Sequence, residues 1–189
     1  MSQLIFSTGN REKYKAAADV CRSYGIELIQ KSLEIIEIQS EDPAEIVTDK
    51  VVKAYSVLKQ PVVVSDDSWY FEALNGFPGP YMKSINHWFS DQDFINLTGK
   101  LKNKRVHLVM YLAFKDADHI KLFSHKHSGF LLSKPKGKSG PAAARVTTLD
   151  GDNGLSISEI YDQGKNNSTR DASKVWHSFV EYYQKAQKP

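Results

Sequence analysis

The sequence predicts an α/β fold with a mixed, twisted sheet flanked by helices. Three observations predict it: short β-branched or apolar runs, helical-period segments set between them, and two longer strand-like runs joined by a tight polar turn. Leu4-Ile5-Phe6 reads as a first strand. Ser7-Thr8-Gly9-Asn10 leads from it into a helix over Glu12 to Tyr24, with Gly25 as its C-terminal stop. Ile26 to Ile29 is a second short strand. Asp42-Pro43-Ala44-Glu45 has the cap, the first-turn proline and the acidic partner of a helix start. Val47, Val51, Ala54 and Leu58 then supply a buried stripe at helical spacing, leaving Lys50 and Lys53 on other faces.

Pro61 ends that helix, and Val62-Val63-Val64 fits a strand buried on both faces that stops at Ser65-Asp66-Asp67-Ser68. Asn75-Gly76 and Pro78-Gly79-Pro80 make the next segment rich in turns. A helix follows from Asp91 to Leu101, with Phe94, Leu97 and Leu101 inward. Val106 to Phe114 and Ile120 to His127 form a hairpin around Lys115-Asp116-Ala117-Asp118. Ser133 to Ala144 has no apolar period and reads as a mobile loop. The final helix runs from about Ser168 to Lys185 and buries Ala172, Val175, Trp176, Phe179 and Tyr183.

At 189 residues the chain is long enough to bury a real core, and one domain over 1–189 is expected. Its single cysteine, Cys21, cannot form an intrachain disulfide. The N-terminus lacks a signal-peptide pattern and no apolar run reaches transmembrane length, so a cytoplasmic protein without a membrane partner is expected. A net charge of +3 is too small to indicate a nucleic-acid polymer as partner, so any anion site must be local.

Three local constellations carry chemistry. Thr8-Gly9-Asn10-Arg11-Glu12-Lys13 leaves a strand and opens a helix, where N–H groups and a lysine can meet a phosphate; an ordinary capped turn looks the same. Asp66-Asp67 offers two carboxylates at a strand end, suited to Mg²⁺ beside phosphates or to a solvated turn. Glu41-Asp42 precedes the second helix, as a cap or as a further metal ligand. His119, His125 and His127 invite a metal reading, His125 and His127 sharing a strand face, but with no third ligand in view they read as a solvated strand, and Asp150-Gly151-Asp152-Asn153-Gly154 reads as a turn.

The strand followed by Thr8-Gly9-Asn10-Arg11-Glu12-Lys13 matches a T-G-N-x-x-K opening. Lys53-Ala54 follows the Glu41-Asp42 acids, and Asp66-Asp67 precedes Ala73-Leu74-Asn75-Gly76-Phe77-Pro78-Gly79-Pro80-Tyr81, which fits A-L-x-G-x-P-G-x-Y. Lys83 comes next, and Ser158-Glu159, Lys165-Asn166 and Ser168-Thr169-Arg170 close the series. In this order and spacing the chain resembles the inosine-triphosphate pyrophosphatase family of non-canonical purine NTP pyrophosphatases over nearly its whole length.

The resemblance implies a single domain with two lobes around a central cleft, usually a homodimer. It implies a Mg²⁺-dependent enzyme that hydrolyses purine triphosphates such as ITP, XTP or dITP to NMP and pyrophosphate. Asp67 and Lys13 would be catalytic, and Glu41 (or Asp42), Asp66 and Asp67 would hold the metal. Thr8, Gly9, Asn10, Lys13, Lys53, Lys83, Lys165, Ser168, Thr169 and Arg170 would hold the substrate. The chain departs from the pattern at two places. The aromatic, Asp-bearing loop expected after Pro135-Lys136-Gly137 is replaced by Lys138 to Arg145, and the histidine of S-H-R is replaced by Thr169. Both changes fall on base recognition, for which Arg145 is a substitute candidate by stacking. The alternatives are therefore altered base specificity, or a nucleotide-binding homologue without turnover.

Overall fold

The computed structural model describes residues 2–164 and 173–186. The chain folds as two compact units, one of Met1–Asp67, Met110–His125 and Asn167–Pro189, the other of Ser68–Val109 and Lys126–Asn166. Along the seven-stranded sheet the order is β2-β1-β3-β5-β6-β7, with β4 pairing β3. The strands are β1 (Ser2–Ser7), β2 (Ile26–Lys31), β3 (Val62–Phe71), β4 (Pro78–Gly79), β5 (Arg105–Lys115), β6 (Ile120–Leu131) and β7 (Thr147–Leu149).

In the first unit β1 pairs in parallel with β2 and with β3, in the registers Leu4↔Leu28 and Ile5↔Val62. Period-two alternation divides these strands between two cores. Leu4, Phe6, Leu28 and Val63 pack with α1 (Arg11–Ser23) and α7 (Ser173–Ala186), through Ala17, Val20, Val175, Trp176 and Phe179. Ile5, Val62 and Val64 pack instead with Val47, Val51 and Ala54 of α2 (Pro43–Leu58). The sheet is thus apolar on both faces, as a strand reading Val-Val-Val requires. α1 stops where Gly25, at φ +73°, takes the left-handed backbone that a side chain would resist, its N–H donating to Arg22 O at 3.0 Å. Burial pushes the Cys21 thiol up to about 12, which keeps it protonated and unreactive.

In the second unit Phe71, Phe94, Val106, Leu131 and Val146 form a core with α3 (Met82–Trp88), α4 (Asp91–Thr98) and α5 (Ala142–Arg145). A smaller cluster joins Ala144 and Leu149 to Ile157 of α6 (Ile157–Asp162).

Several expectations need correction. β3 does not stop at Ser65; it runs on through both aspartates to Phe71. The 91–101 helix ends at Thr98, and Leu97 is exposed rather than inward. α3, α5, β7 and α6 are elements that local apolar patterning did not announce. The 133–144 segment is anchored. Lys138 and Ser139 donate their N–H groups to Asp162 at 2.8 and 3.1 Å, and Ala142 to Ala144 are buried. Gly137, at φ +84°, lies so close to α6 that a Cβ there would stand 2.4 Å from Ser158 Oγ. His127 is buried, not solvated. Of the last helix, the expected start and Ala172 lie outside the described residues, and the other four expected core positions are buried.

Candidate active site

The candidate site lies within the first unit, where β3 continues past the end of β1. β1 leaves the sheet after Ser7 and turns through Thr8-Gly9-Asn10 into α1, so Ser65, Asp66 and Asp67 extend beyond the last paired residues of β1. This is the carboxyl edge of parallel strands, where α/β sheets leave room for ligands.

Alternation along β3 sends Asp67 to the α1 side and Asp66 to the α2 side, and each helix supplies a lysine. Lys13, in the first turn of α1, meets Asp67 Oδ2 at 2.8 Å, with about a quarter of each side chain exposed. Lys50 of α2 meets Glu37 Oε1 at 2.6 Å and donates to Ser65 O at 3.3 Å. Burial holds the Asp66 carboxyl above the usual aspartate range; the ammoniums of Lys13 and Lys50 pull it down, and the Asp67 and Glu37 carboxylates push it up. Three carboxylates and two ammoniums therefore share one electrostatic neighbourhood. Among the described residues, the acidic and histidine groups that bring three ligand atoms within 4.8 Å of one another are Asp116, Asp118 and His119, on the β5–β6 turn. Glu37, Asp66 and Asp67 stand further apart than that.

The raised carboxyl has a stability consequence with a definite sign. The folded state binds the Asp66 proton more tightly than the unfolded chain does, so Asp66 stabilises the fold most below the ordinary aspartate range. That contribution is lost as pH rises through the raised value. In metal-free buffer, Asp66→Asn should melt progressively higher than wild type as pH climbs through this window, read by circular dichroism. A constant difference in Tm across pH 3–7 would contradict the assignment.

The T-G-N turn is organised by its own side chains. Asn10 Oδ1 accepts from the N–H groups of Glu12 and Lys13 at 2.9 and 3.1 Å, and Thr8 Oγ1 accepts from Asn10 N at 3.1 Å. Gln30 Nε2 donates to Thr8 O, fastening the turn to β2. Two helix-start donors are thus satisfied by the cap itself, as in any well-capped helix. Gly9 sits where a Cβ would come 3.2 Å from Ser32 Oγ.

Other expected site residues lie elsewhere. Lys53 turns away from the aspartates and meets Asp49 Oδ2 at 2.7 Å and Ile36 O at 2.8 Å. Asp42 caps α2, accepting from Ala44 N at 2.8 Å, and Glu41 is exposed. Lys83 is exposed on α3 in the second unit. Lys165, Ser168, Thr169 and Arg170 lie outside the described residues. Arg145 is held by both Asp91 oxygens at 2.8 Å and by Gly140 O at 2.6 Å, so stacking on a base would require breaking that clamp.

Sequence reasoning missed Glu37 and Lys50. A helical wheel carried the signal for Lys50: three residues after Val47 and four before Ala54, it borders the buried stripe, whereas Lys53 lies about a further sixth of a turn away from it. Glu37 sits in a segment without regular secondary structure between β2 and α2, with no periodicity to mark it.

Comparison with known proteins places the chain. The model of the Ham1 family matches residues 4–173. A dITP/XTP pyrophosphatase of Methanosarcina mazei is 24% identical over 184 residues, covering 97% of this chain and 98% of its own. Inosine triphosphate pyrophosphatase 2 of Trypanosoma cruzi is 30% identical over 160 residues, covering 84% of this chain and 81% of its own. Among solved structures, the Ham1 protein of Staphylococcus aureus superposes with a TM-score of 0.76 at 16% identity, covering 99% of this chain and all of its own. The Coxiella burnetii HAM1 protein gives 0.74 at 16% identity over 96% of this chain and all of its own. These structural likenesses speak for the α/β fold, and the family match over residues 4–173 shows that the chain belongs to the Ham1 family.

Proposed function

We propose that this protein is a Mg²⁺-dependent pyrophosphatase that hydrolyses purine nucleoside triphosphates of the ITP, XTP and dITP kind to the monophosphate and pyrophosphate. The observation that carries the reading is the interleaving of Asp66, Asp67 and Glu37 with Lys13 and Lys50 at one sheet edge. Carboxylates alone would repel a polyphosphate and lysines alone would not hold a dication; together they suit a metal–polyphosphate pair.

The donor set fits a hard divalent cation. Asp67 Oδ1 is buried and, among the described residues, has no hydrogen-bond partner, which is an acceptor waiting for a cation or a water. Asp66, Asp67 and Glu37 would hold Mg²⁺, with Glu37 taking the part first given to Glu41. Bound there, Mg²⁺ supplies neutralisation of phosphate charge. Lys13 and Lys50 grip phosphate oxygens, with the Thr8–Asn10 turn beside them. Asp67 orients a water toward the α-phosphorus and takes its proton as the new P–O bond forms. The bond from the α-phosphorus to the bridging oxygen breaks, and pyrophosphate leaves with the electron pair.

Two neighbouring lysines separate this reading from one built on Lys53. Lys50→Ala should lower kcat/KM by about 10²-fold, as loss of a charge-assisted phosphate contact does. Lys53→Ala should stay within about twofold, since its partners are Asp49 and a backbone carbonyl. Steady-state pyrophosphate release reports both, and the reverse ranking would reassign the grip to Lys53.

The proposal extends to a cytoplasmic homodimer, which light scattering tests; no described helix is long and apolar enough to cross a membrane. Altered base specificity has one observation in its favour, the aromatic-free loop with its clamped Arg145. A panel of ITP, XTP, dITP, GTP, ATP and pyrimidine triphosphates with Mg²⁺ decides between them. Faster release from ITP and XTP supports the main reading, an even or shifted profile supports the second, and no release from any substrate supports a binding protein without turnover.

A further inference from the structure

We propose that Lys13 and Lys50 act as resident counter-ions, occupying the acidic ligands until a polyphosphate draws them off, so that divalent cation and triphosphate bind with strong positive coupling. This rests on the site assignment proposed above and adds a binding order that the assignment does not itself require.

Two ion pairs carry the idea. Lys13 Nζ touches Asp67 at 2.8 Å and Lys50 Nζ touches Glu37 at 2.6 Å, so two of the three carboxylates are engaged by ammonium groups. A Mg²⁺ ion needs oxygens at about 2.0–2.1 Å in a near-octahedral shell. An oxygen held by an ammonium points its lone pairs at that ammonium. A dication entering alone must either break these pairs or use the remaining oxygens, such as Asp67 Oδ1, beside two ammoniums whose charge opposes its own.

Burial adds the second part. Asp66 is flanked by like charges on Asp67 and Glu37 as well as by both lysines. Without the ammoniums, a half-buried cluster of three carboxylates would take up protons or a stray cation. With them the formal charge of the group falls from −3 to −1, and its attraction for free metal is weaker. A triphosphate changes the balance, because its oxygens offer the lysines new anionic partners and the released carboxylates then converge on the metal. By linkage, whatever factor the polyphosphate adds to metal affinity, the metal adds to polyphosphate affinity. Neither the metal nor the polyphosphate alone would assemble the hydrolytic arrangement.

The test is metal binding without any phosphate, read from free Mn²⁺ by electron paramagnetic resonance on the full chain. Wild type should bind Mn²⁺ weakly, and Lys13→Met and Lys50→Met should each bind at least about tenfold more tightly despite losing activity. Lys15→Met, which removes a charge from the same helix but from a pair with Glu12, should change affinity by less than about twofold. Lys13→Gln repeats the measurement with a polar side chain, and circular dichroism melts confirm that each variant is folded. If neither Met variant binds more tightly than wild type, or if Lys15→Met matches them, the counter-ion role is overturned. Asp66→Asn in the Lys13→Met background separates the two layers. Loss of Mn²⁺ binding there, without a gain on removing the lysine, leaves the metal site standing and defeats only the coupling. Survival of binding there moves the metal elsewhere and defeats both.

Discussion

Replacing Asp67 by Asn is expected to lower kcat for pyrophosphate release by about 10³-fold while leaving KM within a few-fold of wild type. The substitution keeps the shape of the side chain and removes the charge that, on the proposed reading, accepts a proton from the attacking water. A positioned general base contributes about 10²–10⁴-fold, and the loss of an interaction made mainly in the transition state appears in kcat rather than KM. The geometry makes the variant informative. Asp67 Oδ2 is held by Lys13 at 2.8 Å, while Oδ1 is buried without a hydrogen-bond partner among the described residues. Before nucleotide arrives Lys13 holds the first oxygen, and the second is the one left for chemistry. Single-turnover measurements with ITP and Mg²⁺ read the step directly. A kcat within threefold of wild type would remove Asp67 from the role of base and leave Asp66 as the next candidate.

How legible this site was in the sequence depended on how local its causes are. The T-G-N-x-x-K turn could be read because a cap, a helix start and a lysine in the first turn are set by neighbours in sequence, and Asn10 supplies the cap. The Asp66-Asp67 pair was also visible, but its setting was misread. Ser-Asp-Asp-Ser has the composition of a turn, yet β3 continues through it because Lys13 and Lys50, far off in sequence, supply the counter-charge that lets acids sit in a strand. Lys50 and Lys53 differ in helix phase relative to the buried stripe of α2, a difference that becomes readable once the sheet is known to cover that stripe. The anchoring of the 133–144 segment was not legible at all. It comes from Asp162, which accepts from Lys138 and Ser139, and next to the segment from Asp91, which holds Arg145; both are more than twenty positions away, where no local window reaches.

The second large effect is on stability. Phe179→Ala is expected to cost about 3–5 kcal/mol, the usual range for emptying a buried aromatic site. Phe179 is fully buried on α7, with its ring 5.7–5.8 Å from those of Phe114, Phe123, Trp176 and Tyr183. Four ring contacts at edge-to-face or tilted geometry leave no neighbour free to collapse into the space, so the cavity persists and its cost adds to the lost transfer energy. Against a total stability on the order of 5–15 kcal/mol this is a large share, and at about 2–4 °C per kcal/mol for a chain this long it corresponds to a Tm lower by about 10 °C. Phe130→Ala is the control, because that ring is 46% exposed and its contact, with Arg105 over its face, is a surface one; it should cost under about 1 kcal/mol. Urea unfolding followed by circular dichroism measures both, at unchanged m-value. The consequence reaches the site through one shared core, since α7 packs on α1 through Val20 and Cys21, and α1 carries Lys13. A loss below about 1 kcal/mol for Phe179→Ala would mean that α7 does not clamp α1, and that the position of Lys13 beside Asp67 depends on something other than this core.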